Sequence, residues 1–421
     1  MEPTSKNQIS SSIEIPIWVN AALFDDMLRN NLTEYQQIKS FCAKKHSCES
    51  ESYMSQMLNI NIETILKDGK IRNISYRLII KPTTESPTLG RTFMQYFTRE
   101  ATIYHELLPV FEKIYRAAGI KLQLAPTCFK LAKNFSASTI LLNDMASKGY
   151  RNVNCIEGLN MLHTQEVLKK LAALHAASAV VFEKRHREFS IFTQPVLDTD
   201  SYLEFENRTI SYNRKFVENL RRLNLREYQD HIKVYLQNFR NTLSQAERID
   251  LNEFNVLNHG DCRTHNILFK YDAFGNIMDT LFVNFQKSKY GSPSQDLLYF
   301  IFSSIQLEDK LKNFDFFIKY YFDQLIANLK LLRYSRKLPN LTDLHLDILN
   351  NSCWAFTAFT KILPFVLQDS NDTSTSLDLS KLMDIKLGES DVFDLMFRNP
   401  RYAEQAQKIL PWLENRAFLE L

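Results

Sequence analysis

Asp261 and Asn266 stand five residues apart in the stretch HGDCRTHNILF (259–269), and that spacing suggests chemistry. A carboxylate can accept the proton of a hydroxyl that attacks a phosphoryl group, and an amide five residues on, across a turn, can hold a metal ion on the phosphates. Two other chemistries could use the same stretch. His259, Cys262 and His265 are zinc-ligand types spaced three apart, but no fourth ligand stands nearby and Gly260-Asp261 marks a turn rather than one helical face. Cys262 sits beside Arg263, which can lower a thiol pKa. Adjacency in sequence is not pairing in space, however, and most lone cysteines are small core residues. By itself the Asp-to-Asn spacing arises often by chance. Its context favours phosphoryl transfer: strand-like ILFKYD (267–272), a turn at Phe274-Gly275-Asn276, then a second strand in TLFVNF (280–285).

The elements that must position this loop fall into two halves. Residues 21–45 carry apolar residues at helical spacing, which predicts a leading amphipathic helix. YMSQMLNINIETIL (53–66), Asp68-Gly69 and SYRLIIK (75–81) read as strand, turn and strand. After a Thr- and Pro-containing loop (82–90), 93–114 reads as a helix, and CFKLAK and STILLND (138–144) as two more strands. From residue 161 the pattern is helical: 161–186, 211–245 and 308–333 all carry the 3.6-residue period. Strands first and helices afterwards predict segregated α+β. The expected divisions are an extension and helix over 1–40, a β-rich lobe over 41–145, and a helical lobe over 146–421 that carries the loop. The Ser-rich start and QDSNDTSTSLD (368–378) have the composition of mobile segments.

A chain of 421 residues exceeds what one hydrophobic core usually serves, in keeping with two lobes. Hydrophobic residues at 45% and charged residues at 24% are those of an ordinary globular protein. A net charge of +3 is too mild to point to nucleic acid or an anionic membrane. No run approaches the ~20 apolar residues of a membrane span, and the start lacks a basic stretch followed by an apolar one. Six scattered cysteines without a CxxC pair are read as reduced thiols, so a cytoplasmic location is expected. Nine glycines in the whole chain are few, well under the ~7% that is usual.

NHGDCRTHNILFKYDAFGNIMDTLFVNFQKSKYGSPSQDLLYFIFSS (258–304) resembles the insect ecdysteroid kinase-like family, also called CHK kinase-like, of the aminoglycoside phosphotransferase and choline kinase superfamily. The family's hallmarks are an HGD…NN loop, a DFQ strand and a YGSP..DLLYF segment. His259, Gly260, Asp261, Asn266, Phe285, Gln286, Tyr290, Gly291, Ser292, Pro293, Asp296 and Leu297 stand in place. KLAALHAAS (170–178), LLNDMASKGY (141–150) and FTREATIYHELLP (97–109) extend the likeness over about residues 40–305. The resemblance implies a protein kinase-like two-lobed fold and transfer of the ATP γ-phosphate to a hydroxyl on an ecdysteroid-like or xenobiotic alcohol. It implies Asp261 as base, Asn266 as magnesium ligand and Asn284 at the second magnesium position. Lys81 would hold the α/β-phosphates with Glu100 as its ion-pair partner, and Asn143, Asp144 and Met145 would meet adenine through their backbone. No nucleic acid or membrane span is implied.

The chain departs from the family in places that bear on activity. Asn284 stands where the family has the magnesium-bridging aspartate, and magnesium prefers anionic oxygens. Losing ~3–5 kcal/mol of charge stabilisation there slows transfer by roughly 10²–10⁴. Between Cys42 and Asp68 there is no glycine to bring backbone amides against phosphates; Glu49 and Glu51 stand there with Ser50, Ser52 and Ser55. Asn143 replaces a glutamate and His265 an asparagine. Asp296 near a helix start reads as a capping carboxylate, His259 as a loop brace and His175 as a packing residue. Two readings stay open: a small-molecule kinase, and a pseudokinase serving as a ligand- or partner-binding module.

Overall fold

The computed structural model describes residues 15–46, 56–81, 87–132, 135, 138–194, 199–368 and 391–420. The serine-rich start, the stretch 47–55 with its serines and glutamates, and 369–378 of the second expected mobile segment lie outside the described residues. The chain is α+β, as the order of its elements predicts, and divides into two compact units.

The described residues of the first unit lie within 1–48, 56–80 and 128–144. Its sheet is antiparallel throughout, ordered β1 (Tyr35–Lys45), β2 (Gln56–Leu66), β3 (Ile71–Ile80), β5 (Thr139–Asn143) and β4 (Cys128–Phe129). A core of Phe24, Leu28, Tyr35, Leu58, Ile60, Tyr76, Leu78 and Leu141 lies against it. The leading helix runs only from Ala22 to Asn31, and residues 35–45, expected to continue it, form β1 instead. Two register shifts explain the difference: β1 slips against β2 between Tyr35 and Gln37 and again between Ile38 and Ser40. Each bulge adds a residue, so Tyr35, Ile38 and Phe41, three apart, all reach one face and imitate a helical period.

The second unit, whose described residues lie within 81–127 and 145–421, is mostly helical. The loop expected over 82–90 gives way to helix from Pro87, and that helix passes through a π turn at Ile103–Leu107 before continuing as Leu108–Ala117. Met161–Arg185 is a 25-residue helix opened by the Asn160 side chain, which accepts the His163 backbone N–H. Ser294–Ser304, with an apolar middle from Leu297 to Phe302, is buried along its whole length.

Two small ladders in this unit fix the loop read from sequence. β7 (Val256–Asn258) pairs with β10 (Lys289–Gly291), and β8 (Ile267–Tyr271) pairs with β9 (Ile277–Phe282) on one side and β6 (Tyr150–Arg151) on the other. The loop 259–266 runs from β7 to β8, and 283–288 from β9 to β10. Pairing at both ends lays the two loops side by side. The β8–β9 turn closes on Asp272, whose carboxylate accepts the Phe274 and Asn276 N–H groups at 2.9 and 2.8 Å.

Candidate active site

The two loops are stitched by backbone contacts that only some residues allow. Gly260 has φ +79°, and a Cβ there would lie 2.0 Å from the Lys287 carbonyl oxygen, so glycine alone fits. The buried Asp296 carboxylate accepts the backbone N–H groups of His259 at 2.6 Å and Gly260 at 2.9 Å, and His175 Nε2 at 3.2 Å. It therefore caps the amides of the neighbouring loop rather than those of its own helix, which has no side-chain cap. His175, itself fully buried, is braced by the Tyr321 hydroxyl at 2.7 Å. His259 donates from Nε2 to the Val283 carbonyl at 3.0 Å and accepts the Asp261 N–H on Nδ1. Burial lowers its pKa and keeps the ring neutral, which that pattern requires. It is a brace between the loops.

Asn266 joins two other expected residues, Asp261 and Asn284. Its Nδ2 donates to the Asp261 carbonyl oxygen at 2.8 Å, and its Oδ1 accepts from Asn284 Nδ2 at 3.2 Å. Val283 N–H donates to the Asn266 carbonyl oxygen at 3.0 Å. Asn284 takes φ +69°, a left-handed conformation that asparagine tolerates better than most residues. Asp261, Asn266 and Asn284 thus form one cluster.

The Asp261 carboxylate is almost wholly buried. Oδ1 accepts Arg263 Nε at 3.1 Å and the Tyr299 hydroxyl, and Oδ2 lies 3.4 Å from Lys287 Nζ. Burial alone would raise this carboxyl, but Lys287, Arg263 and the Tyr299 hydroxyl outweigh it and hold it well below the usual carboxylate range. It is ionised at any physiological pH. Burial pushes the Tyr299 hydroxyl far up, so it stays a donor. Lys287, with 38% of its side chain exposed, is the most exposed of these partners. Residue types alone did not single out Lys287 or Tyr299; each lies within a motif segment that the sequence offers, after Gln286 and inside DLLYF.

Glu100 reaches the cluster from the helix Pro87–Thr102. Its Oε1 accepts the N–H of Phe285, the residue after Asn284, at 3.2 Å. Burial raises its carboxyl to about 7, partly opposed by that hydrogen bond. Among the described residues Lys81 and Glu100 form no ion pair, so the clamp implied by resemblance is not made in this structure. The physical reason lies in the carboxyl, which is buried on the Phe285 amide, while Lys81 sits half-buried past the end of β3. Arg99, one residue earlier and also buried, donates to the Ser288 carbonyl at 2.9 Å and so holds the far end of the second loop. Nothing in its sequence position marks that role.

The remaining expected residues lie elsewhere. In the first unit Asn143 ends β5 opposite Tyr76, while Asp144 donates its N–H to the Ser75 carbonyl and pairs with Arg77 at 3.6 Å. In the second, Met145 is buried against Tyr150 and Leu281. Cys262 is buried and its thiol is pushed far above the usual value, which leaves it inert as a nucleophile. His259 and His265 turn to different partners, Val283 and Cys155, and no group of three His, Cys, Asp or Glu side chains among the described residues is arranged to hold a metal. Nor is any helix among them long and apolar enough to cross a membrane.

The model of the ecdysteroid kinase-like family matches residues 49–334. No curated protein matches the chain. Among solved structures it is similar to amicoumacin kinase hAmiN in complex with AMP-PNP, Ca2+ and Ami, at 14% identity over 90% of this chain and 94% of that one, with a TM-score of 0.34.

Proposed function

The chain belongs to the ecdysteroid kinase-like family, and from that premise we propose that it is a phosphotransferase that moves the ATP γ-phosphoryl group to the hydroxyl of a small, steroid-like or xenobiotic alcohol. The observation that carries the reading is the knot at Asn266, which ties the main chain of Asp261, a residue with a low-pKa carboxyl, to two side-chain amides on adjoining loops.

In the proposed reaction the P–O bond to ADP breaks and a P–O bond to the acceptor oxygen forms, while the hydroxyl proton passes to Asp261 and on to water. The contact of Asp261 Oδ2 with the half-exposed Lys287 is its longest, so this is the oxygen that the acceptor hydroxyl would meet as Lys287 swings aside. A carboxylate held this low is a weak base in the ground state. Its work is to orient the hydroxyl and to take the proton late, as the new bond forms. A magnesium ion carried in on the phosphates would find neutral amide oxygens at Asn266 and Asn284, which suits an ion that brings its own anionic ligands. Bound there, it would neutralise charge on the transferring group. Lys81 would meet the phosphates, and Asn143, Asp144 and Met145 the base.

A second reading has its own support: with Asn284 neutral and Glu100 engaged by Phe285 rather than Lys81, the chain is a pseudokinase that binds ligand without turnover. Thermal unfolding separates the two. A phosphotransferase gains stability from Mg·ATP, less from ATP with EDTA, and loses turnover but not nucleotide binding in Asp261→Asn. No shift with Mg·ATP at millimolar concentration rules the first reading out.

A further inference from the structure

Lys287 and Arg263 neutralise Asp261, but Lys289 and Lys361 stand further along the same region. Tyr96 links them to the site: its hydroxyl lies in the fields of Arg99, Asp261 and Glu247. Glu247 pairs with Lys289 at 3.1 Å, and the Lys289 ammonium stands 4.3 Å from the centre of the Trp354 ring. Cys353, the residue before, lies in the field of Lys289 and itself acts on Lys361. From the other side, the Arg263 guanidinium stands 5.5 Å over the Phe365 ring, one helical turn beyond Lys361. Asp261 and Lys361 therefore bracket one region.

Lys361 and Phe365 are half-buried, and 20% of the Lys289 side chain remains exposed. Loss of water still lowers both lysines, Lys361 to about 8. Both ammonium groups are thus short of water and still accessible. Lys361 differs from the other cations in its partners. It sits 5.3 Å over the Phe239 ring, and among the described residues no carboxylate or hydrogen-bond acceptor holds it. Its backbone lies in the π turn Ala358–Ile362, a geometry that re-aims side chains and recurs at functional sites. An ammonium held in a water-poor place by a ring and, among the described residues, by no counter-ion is costly, and an anion arriving there recovers that cost as a charge-assisted bond.

We propose that Lys361 anchors an anionic group on the acceptor, a carboxylate or sulfate, with the hydroxyl facing Asp261 and an apolar body lying against Tyr96, Trp354 and Phe365. This inference rests on the phosphotransferase reading for its hydroxyl and on the half-buried Lys361 ammonium for its anion. The test is calorimetric binding without nucleotide, using two matched pairs: cholate against its methyl ester, and a hydroxysteroid sulfate against the parent diol. Wild type should bind at least one acid tenfold or more tighter than its neutral mate. Lys361→Met should erase that ratio while leaving the neutral mate's affinity unchanged, and Lys361→Arg should keep it. The pair with the larger ratio identifies the anion. Equal affinities within both pairs, no binding of either acid, or a preference that survives Lys361→Met overturns the proposal. Mg·ATP binding on the same preparations keeps the two readings apart: anion preference without nucleotide binding upholds the anion site and overturns the kinase.

Discussion

Asn284 Nδ2 donates to Asn266 Oδ1 at 3.2 Å, so the two amides expected to share a metal ion are hydrogen-bonded to each other. Asn266 Nδ2 is already committed to the Asp261 carbonyl, which fixes the direction of the amide. Asn284→Asp would set a carboxylate against the Asn266 oxygen and cost about 1 kcal/mol of stability without metal. With Mg·ATP the same carboxylate becomes an anionic ligand. The variant should therefore melt lower than wild type alone and bind Mg·ATP at least tenfold more tightly, about 1.4 kcal/mol. Isothermal titration with and without magnesium reads both effects, and an unchanged magnesium dependence removes position 284 from the metal site.

Gly260→Ala and Gly275→Ala form a controlled pair. Both glycines have positive φ, +79° and +85°, so both substitutions bear the left-handed strain of roughly 1–2 kcal/mol. Only at 260 does the new methyl meet backbone, 2.0 Å from the Lys287 oxygen, whereas nothing lies within 4 Å at 275. Urea unfolding should show a loss of about 1 kcal/mol for Gly275→Ala and about 4 kcal/mol or more for Gly260→Ala, with the loop contact to Lys287 broken. Similar losses at the two sites would mean that the loops do not touch there.

Much of this arrangement was legible in the residues. The spacing of Asp261 and Asn266, the turn at Phe274-Gly275-Asn276 and the strand that follows are local, and local chemistry writes itself into adjacent positions. Two kinds of feature were not legible. The β1 strand hid because its bulges convert a period of two into the three-residue spacing of a helix. Long-range partners hid because nothing in one stretch names them: Asp296 reads as the cap of its own helix, yet its oxygens meet amides 36 and 37 residues away. Glu100 similarly carries the signature of a lysine's partner, and its environment gives it the Phe285 amide instead.

Asp296→Asn tests whether the loop depends on that carboxylate. One oxygen takes His259 N–H and His175 Nε2, the other Gly260 N–H. An amide can offer one oxygen and must turn an NH2 group toward donors that then have no acceptor. Leaving a buried donor unpaired costs ~1–3 kcal/mol, more beside charge. The variant should lose about 3 kcal/mol in urea unfolding, and any Mg·ATP-dependent stabilisation should fall with it. A loss below 1 kcal/mol would show that the amides find other acceptors.

Glu100 should make stability depend on pH in the opposite sense to a salt-bridged carboxylate. Its folded pKa, about 7, lies above the 4.5 of the unfolded chain. Between those values the native state holds a proton that the unfolded state has released. The contribution is thus full below pH 4.5 and is lost as pH rises through 7. A separation of this size amounts to about 3 kcal/mol. Glu100→Gln keeps a carbonyl oxygen for the Phe285 N–H but cannot ionise. Measured by urea unfolding from pH 4.5 to 8.5, wild type should lose stability relative to the variant by about 3 kcal/mol, most of it between pH 5 and 7.5. Parallel curves would place a cation beside Glu100 in solution, with Lys81 the first to examine. Because Phe285 directly follows Asn284, the same ionisation acts on the loop that would receive the nucleotide's metal.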